Sequence, residues 1–166
     1  MKSRRDSILA LGLALACGAC ASYSGHGLVP GVATATEVRR VMGEPAQACP
    51  LADGGQNWVY PRGPAGVETF DVLLDRDGVV KSIENVLDER SFARVRRGET
   101  NKQDVLCRFG PPIEVAYFAR RRELVWDYRF QDMWGYPARF HVLFNDDGVV
   151  TNTMQIREDY GDGDAH

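Results

Sequence analysis

Residues 140–150 read FHVLFNDDGVV, and residues 70–80 read FDVLLDRDGVV. In both stretches, apolar residues alternate with others up to an Asp-Gly pair, and a Val-Val pair follows. Alternation that is broken by Asp-Gly is typical of two antiparallel strands joined by a tight turn. The sequence therefore predicts the same β-hairpin twice, once in each half of the chain.

The repeat extends towards the N-terminus of each hairpin. Trp-x-Tyr occurs at 58–60 and again at 126–128, and Gly-x-Pro occurs at 43–45 and again at 110–112. The offset between the copies grows slightly from the Gly-x-Pro motif to the hairpin, as it should when insertions fall in loops. We therefore predict two tandem copies of one small domain, at residues 28–87 and 88–157.

A short helix precedes the strands in each copy. Thr34 and Glu37 in the first copy, and Thr100 and Gln103 in the second, have the spacing of a capping box. A glycine and then a proline follow, so each helix ends after about nine residues. A further helix is expected from Asp88 to Val95. The predicted fold class is α+β, with short helices on one face of an antiparallel sheet, built twice.

The strand pattern separates a buried face from a wet one. Five aromatic residues share one strand parity and are expected to form the core under the helices: Trp58, Tyr60, Trp126, Tyr128 and Phe130. The opposite parity in the second copy is polar and holds Asp127, Arg129, Arg139 and His141. We expect the sheet face turned away from the helices to stay free, which makes these four residues candidates for binding a partner.

A family resemblance rests on the second copy. The string from Phe92 to Thr100, the Phe-Gly-Pro-Pro at 109–112, the Trp-x-Tyr and the Asp-Gly-Val-Val at 147–150 resemble the SmpA/OmlA (BamE-like) lipoprotein family. The resemblance implies a small periplasm-facing protein of the outer-membrane β-barrel assembly machine that binds proteins and anionic lipid. The tandem duplication is also similar to the β-lactamase inhibitor proteins, which bind an enzyme on a concave sheet.

Residues 1–16 have the features of a signal peptide. Basic residues are followed by an apolar run from Ile8 to Ala16, which is far shorter than the roughly 20 residues that span a bilayer. Leu-Ala-Cys at 15–17 resembles a bacterial lipobox, which implies acylation at Cys17, with Cys20 as the alternative residue. Plain secretion after cleavage nearby is the other interpretation. Residues 17–27 would then be a linker, and the acidic, Gly-rich residues 158–166 a disordered tail.

Little in the composition points to catalysis. The chain has 166 residues, three of them histidine, and a net charge of −3, which argues against electrostatic binding of nucleic acid. No nucleophile motif or zinc-ligand spacing is present, so we predict no enzyme activity, no cofactor and no metal. Cys49 and Cys107 could form a disulfide in an oxidising periplasm, but they lie at unrelated positions of the repeat, which favours two separate thiols.

Two loop segments complete the candidate sites. Trp134 and Tyr136 lie between two strands of the second copy, where they could be exposed anchors for a partner or fold back over the sheet edge. Arg120, Arg121 and Arg122 are expected at a solvated hairpin tip, with contact to anionic lipid headgroups as the functional interpretation.

Together these features predict a non-enzymatic, lipid-anchored protein on the periplasmic side of the outer membrane. Its partners would be other envelope proteins, with a role in barrel assembly or envelope integrity. The alternative is an inhibitor that covers an enzyme's active site.

Overall fold

The computed structural model describes residues 24–62 and 66–158. The first unit contains α1 (Ala35–Met42), β1 (Gln47–Pro50), β2 (Gln56–Pro61), β3 (Thr69–Leu74) and β4 (Val80–Asn85). The second unit contains α2 (Glu89–Phe92), α3 (Lys102–Phe109), β5 (Glu114–Phe118), β6 (Glu123–Gln131), β7 (Pro137–Phe144) and β8 (Val150–Arg157). Each unit has one four-stranded antiparallel sheet in which the strands follow chain order. None of the helices in this part of the chain is long and apolar enough to cross a bilayer.

The helices begin and end at capping residues. In α1 the Glu37 carboxylate accepts a hydrogen bond from the Thr34 amide at 2.9 Å, which confirms the predicted capping box. In α3 the predicted start at Thr100 is wrong by one residue, because Asn101 is the N-cap and Asp104 returns the bond. The Thr100 hydroxyl is engaged elsewhere, since it accepts the Arg96 amide proton at 2.8 Å. Asn101, one position later, is therefore the residue that accepts the first amide protons and begins α3.

The two sheets correspond residue by residue. Val59 pairs with Asp71 in the first sheet, as Asp127 pairs with His141 in the second. The register shift in the last hairpin lies between Leu73 and Leu74 in one unit and at the corresponding 143/144 step in the other. The two predicted hairpins are present at the predicted places. The sequence did not predict the edge strands β1 and β5, because both are short and neither alternates regularly between apolar and polar residues.

Each unit has its own hydrophobic core, and the five aromatic residues predicted as core are all buried. In the second core, Phe92 of α2 stacks on Phe140 with ring centroids 3.9 Å apart and meets Phe130 edge-on. Val86 and Leu87, which connect the units, are buried in the second core. The connection between the units is therefore part of the second unit's packing.

The units meet where α3 lies against β1 and β2 of the first unit. Val59 points away from its own helix, yet it is completely buried. Asn57 Nδ2 donates to the Cys107 carbonyl at 2.9 Å, and the Thr69 hydroxyl donates to the Phe109 carbonyl at 3.3 Å. The expectation that the sheet face opposite the helices stays free is therefore wrong for the first unit.

A disulfide joins Cys49 of β1 to Cys107 of α3, with the Cα atoms 5.8 Å apart. The expectation of two separate thiols is wrong. The two cysteines occupy unrelated positions of the repeat because they do not serve equivalent roles within each unit. They face each other across the junction between the units, which the repeat pattern could not reveal.

Candidate functional site

The surface of the second sheet that faces away from α3 is here called the outer face. Strand register places Glu114 and Ala116 of β5, Val125, Asp127 and Arg129 of β6, Arg139, His141 and Leu143 of β7, and Met154 and Ile156 of β8 on this face. The structure thus brings the four predicted strand candidates together on two adjacent strands.

An ionic network occupies the middle of the outer face. Asp127 is buried, and its carboxylate accepts a hydrogen bond from Arg139 Nη1 at 2.5 Å. Glu158 joins the two arginines, because its carboxylate accepts from Arg139 Nε at 2.8 Å and from Arg129 Nη2 at 2.6 Å. The hydrogen bond from Arg129, together with that from Arg139, holds the pKa of Glu158 below its ordinary value.

Glu158 is the first residue of the predicted disordered tail, and at this residue the prediction is wrong. Its amide donates to the Pro137 carbonyl at 2.9 Å, so this residue continues the β8 register and is not part of a disordered segment. Residues 159–166 lie outside the described residues. His141 approaches the network with Nδ1 3.6 Å from Asp127 Oδ1, which is too long for a hydrogen bond.

Apolar side chains flank the network on the same face. Met154 and Ile156 pair with His141 and Arg139 across β7 and β8, and both are exposed. At the other edge, Phe118 of β5 is 54% exposed. The outer face therefore combines a centre of paired charges with exposed apolar residues at both edges, a composition that suits binding to a protein surface.

The β6–β7 loop presents Trp134 to solvent. The Asp132 carboxylate accepts the amide protons of Trp134 and Tyr136, each at 2.9 Å, which fixes the turn. The Trp134 side chain is 73% exposed, and Arg157 stacks over the Tyr136 ring at 4.5 Å. The Trp134 ring is therefore exposed and does not fold back over the sheet edge, and its role as an anchor for a partner stays a prediction.

The basic tip is the turn between β5 and β6, as predicted. Arg122 forms an ion pair with Asp146, and Arg121 lies 4.0 Å from Glu123. All three arginines remain exposed, so their charges are available at the surface.

The basic tip precedes β6 and the Trp134 loop follows this strand, so the whole length of β6, about 30 Å, separates the two loops. The two loops therefore cannot bind one small ligand together.

Most of these surfaces fall in the segment that a comparison with known families identifies. Residues 84–154 match the model of the outer membrane protein assembly factor BamE domain. This part of the chain is similar to BamE domains. No curated protein and no solved structure gives a significant match to the chain. The resemblance seen in the sequence is thus confirmed for the second unit, which we call the BamE domain below.

BamE domains are non-enzymatic assembly-factor domains of outer-membrane-associated proteins. The match covers the predicted partner-binding residues and the basic tip, and it ends within β8 before Glu158. The first unit lies almost entirely outside it. Cys17 and Cys20, together with the predicted signal peptide, lie outside the described residues.

A cleft that sequence reasoning missed lies at the junction between the first unit and the BamE domain. It encloses about 920 Å³ beside the disulfide and is lined by Asp71, Glu84 and Arg108, among others. Burial raises the pKa of Asp71 to about 7, although Asn57 donates to its carboxylate at 2.9 Å. The sequence contained a signal for Asp71, because this residue occupies the position of the candidate His141 in the repeat. That Asp71 lies at an interface between the units could not be deduced from the pattern of one unit.

Within the described ranges, no group of three or more His, Cys, Asp or Glu side chains has the arrangement of a metal site. The outer face of the BamE domain instead carries hydrogen-bond donors and acceptors beside exposed apolar side chains.

Proposed function

We propose that this protein is a non-enzymatic outer-membrane lipoprotein that takes part in the assembly of outer-membrane proteins by binding another envelope protein. The observation that carries the proposal is that the outer face and the Trp134 loop lie within or beside the segment that matches the BamE domain. Both present exposed side chains, Met154 and Ile156 on the face and Trp134 in the loop, whereas the equivalent face of the first unit is covered by α3.

Docking would use two kinds of contact. Trp134 is a large, exposed side chain on a turn fixed by Asp132, and such preordered aromatic residues contribute strongly to interfaces. The charged centre of the outer face would set the orientation of the partner, as complementary charges do in other interfaces. The partner would be a subunit of the barrel assembly machine.

Acylation at Cys17 would hold the protein at the periplasmic surface of the outer membrane. Each acyl CH₂ buried in lipid contributes about 0.8 kcal/mol, so two or three chains anchor a protein stably. The first unit, which repeats the strand order and register of the BamE domain, would be a second and divergent copy of it. Since its outer face is covered, its role would be to support the BamE domain.

The basic tip would add contact with anionic headgroups. Arg120, Arg121 and Arg122 are exposed at a turn, and each basic residue at an anionic surface contributes about 1 kcal/mol. Replacing all three by alanine should weaken binding to vesicles that contain anionic lipid. Unchanged vesicle binding would remove this part of the proposal.

The central experiment compares Trp134→Ala with Tyr117→Ala in cells. Tyr117 is a matched control, because it is 58% exposed and lies on β5, away from the Trp134 loop. Chemical cross-linking followed by purification should recover barrel-assembly subunits with the wild type and with Tyr117→Ala, and much less with Trp134→Ala. Recovery of none of these subunits with the wild type, or of a soluble hydrolase in their place, would overturn the proposal.

A separate experiment tests the anchor. Cys17→Ala should move the protein from the outer-membrane fraction to the soluble periplasmic fraction, and Cys20→Ala should not. An unchanged distribution of Cys17→Ala would contradict acylation at this residue. No observation favours the enzyme-inhibitor alternative.

A further inference from the structure

The first sheet shows how a sheet of this kind holds another element on the face opposite its own helix. The last turn of α3 is seated there by two side-chain donors, with Asn57 bonded to the Cys107 carbonyl and Thr69 to the Phe109 carbonyl. Gly110, which ends α3, packs against Val59. The face thus binds the C-terminal end of a helix through its free carbonyl groups.

The outer face of the BamE domain is the equivalent surface. Because the registers agree, each residue of the first sheet has one counterpart in the second. The counterparts are Ala116 for Cys49, Val125 for Asn57, Asp127 for Val59, Arg129 for Pro61 and Arg139 for Thr69. Among the described residues, no helix approaches the second sheet as closely as α3 approaches β1 and β2. The surface that these five counterparts form on the outer face is here called the seat. In the described part of the chain, no helix occupies it.

The chemistry of this seat differs from that of the first in one respect. Where Thr69 donates one neutral hydrogen bond, Arg139 presents a guanidinium, and Arg129 lies beside it. Arg129 and Arg139 share the carboxylate of Glu158, the last described residue of the chain, and Arg139 also donates to Asp127 through Nη1. The free carbonyl groups at the C-terminal end of a helix carry a partial negative charge, and arginine binds carboxylates in a forked geometry.

We propose that the outer face binds the C-terminal turn of a helix in a partner protein, and that a carboxylate in that turn takes the place of Glu158 between Arg129 and Arg139. The inference rests on the proposed function and names the part of the partner that is recognised. Exchanging one carboxylate for another leaves the charge of the seat unchanged. Phe118, Met154 and Ile156 are exposed around it and would be buried by the partner.

None of the described helices of a second copy fits the seat. The C-terminal turn of α3 is already held at the junction, and the last turns of the other two helices are basic, with Arg39 and Arg40 in α1 and Arg90 in α2. Those cations would face Arg129 and Arg139. Charge complementarity therefore selects a different protein with an acidic helix end.

Disulfide trapping with a defined probe tests the inference. Because Ala116 is the counterpart of Cys49, a cysteine at 116 should lie beside a cysteine in the seated turn, as Cys49 lies beside Cys107. The probe is a side-chain-stapled helical peptide that ends in glycine amide, with an activated cysteine three positions before the glycine and a glutamate in the same turn. The protein is the full chain with Ala116→Cys, and with Cys17→Ser and Cys20→Ser to leave one free thiol.

Val115→Cys is the matched control, because Val115 is the neighbouring residue of β5, is 56% exposed and lies on the opposite face. Trapping at 116 should be about tenfold faster than at 115, and a peptide with glutamine in place of glutamate should lose most of this preference. Glu158→Gln should speed trapping at 116 because it removes the competing carboxylate. Arg139→Lys, which keeps the charge but loses the fork, should slow it.

Equal trapping rates at 115 and 116, or a rate at 116 that does not depend on the glutamate, would overturn the inference. Circular dichroism of each variant shows whether slow trapping results from a changed binding surface or from an unfolded protein. If barrel-assembly subunits are still recovered through Trp134 while the probe shows no preference for 116, the helix-end inference fails and the proposed function stands. If neither is observed, both fail.

Discussion

Replacing both Cys49 and Cys107 by alanine should destabilise the protein by about 4 kcal/mol at 25 °C. The disulfide joins cysteines separated by 58 residues, and the entropy that such a cross-link removes from the unfolded chain sets this magnitude. Alanine is the appropriate replacement because Cys49 is buried, where a serine hydroxyl would lack a partner. Guanidinium unfolding followed by tryptophan fluorescence measures the effect, since Trp58 and Trp126 report on the two cores.

Reduction of the wild-type protein is the internal control. Reductant should lower the stability of the wild type to that of the double variant and should leave the variant unchanged. A further consequence concerns cooperativity. Without the cross-link, the main described connections between the units are the chain itself and the packing of α3 against β1 and β2, so their transitions should separate.

A double variant that unfolds within about 1 kcal/mol of the wild type would refute this reasoning, because loop closure would then be a minor contribution. Equal stability of oxidised and reduced wild type would do so independently. Either result would mean that packing at Val59 and the bonds from Asn57 and Thr69 hold the junction without the disulfide.

Three other substitutions test the core, the junction and the helix cap. Phe92→Ala should cost about 3–5 kcal/mol in a thermal or denaturant melt, because the ring is buried and stacks on Phe140. Asp71 has a folded-state pKa of about 7, above its unfolded value, so the wild type should lose stability as pH rises from about 4 to 7, by on the order of 3 kcal/mol. Asp71→Asn should abolish that loss, and a pH dependence unchanged by the substitution would contradict the burial argument. Asn101→Ala should cost about 1 kcal/mol, since it removes the cap of α3, and no measurable change would return the helix start to Thr100.

The sequence predicted the repeated parts of the fold well because their signals are local. Alternating apolar residues around Asp-Gly specify a hairpin wherever they occur, and both hairpins are present where this pattern places them. The aromatic parity of Trp126 and its neighbours identified the core by the same reasoning. The predicted start of α3 was wrong by one residue because Thr100 and Asn101 are both good capping residues. The Thr100 hydroxyl accepts a hydrogen bond from the Arg96 amide, and Asn101 caps the helix.

The candidate site was predicted in composition but not in arrangement. Asp127, Arg129, Arg139 and His141 share a strand parity, which the sequence shows. Their connection through Glu158 depends on β8 continuing one residue further than its pattern indicated. The exposure of Trp134 also could not be derived, because it depends on the turn fixed by Asp132 and on Arg157 from another strand.

The sequence by itself determined two helix-and-hairpin units, their cores and the polar parity of the second sheet, because each of these follows from periodicity within a single unit. Only the tertiary structure decided that α3 covers the outer face of the first sheet, that Cys49 bonds to Cys107 there, and that no described helix lies on the corresponding face of the BamE domain. These features depend on how two similar units pack against each other. Such contacts join residues far apart in the chain, and no local period encodes them.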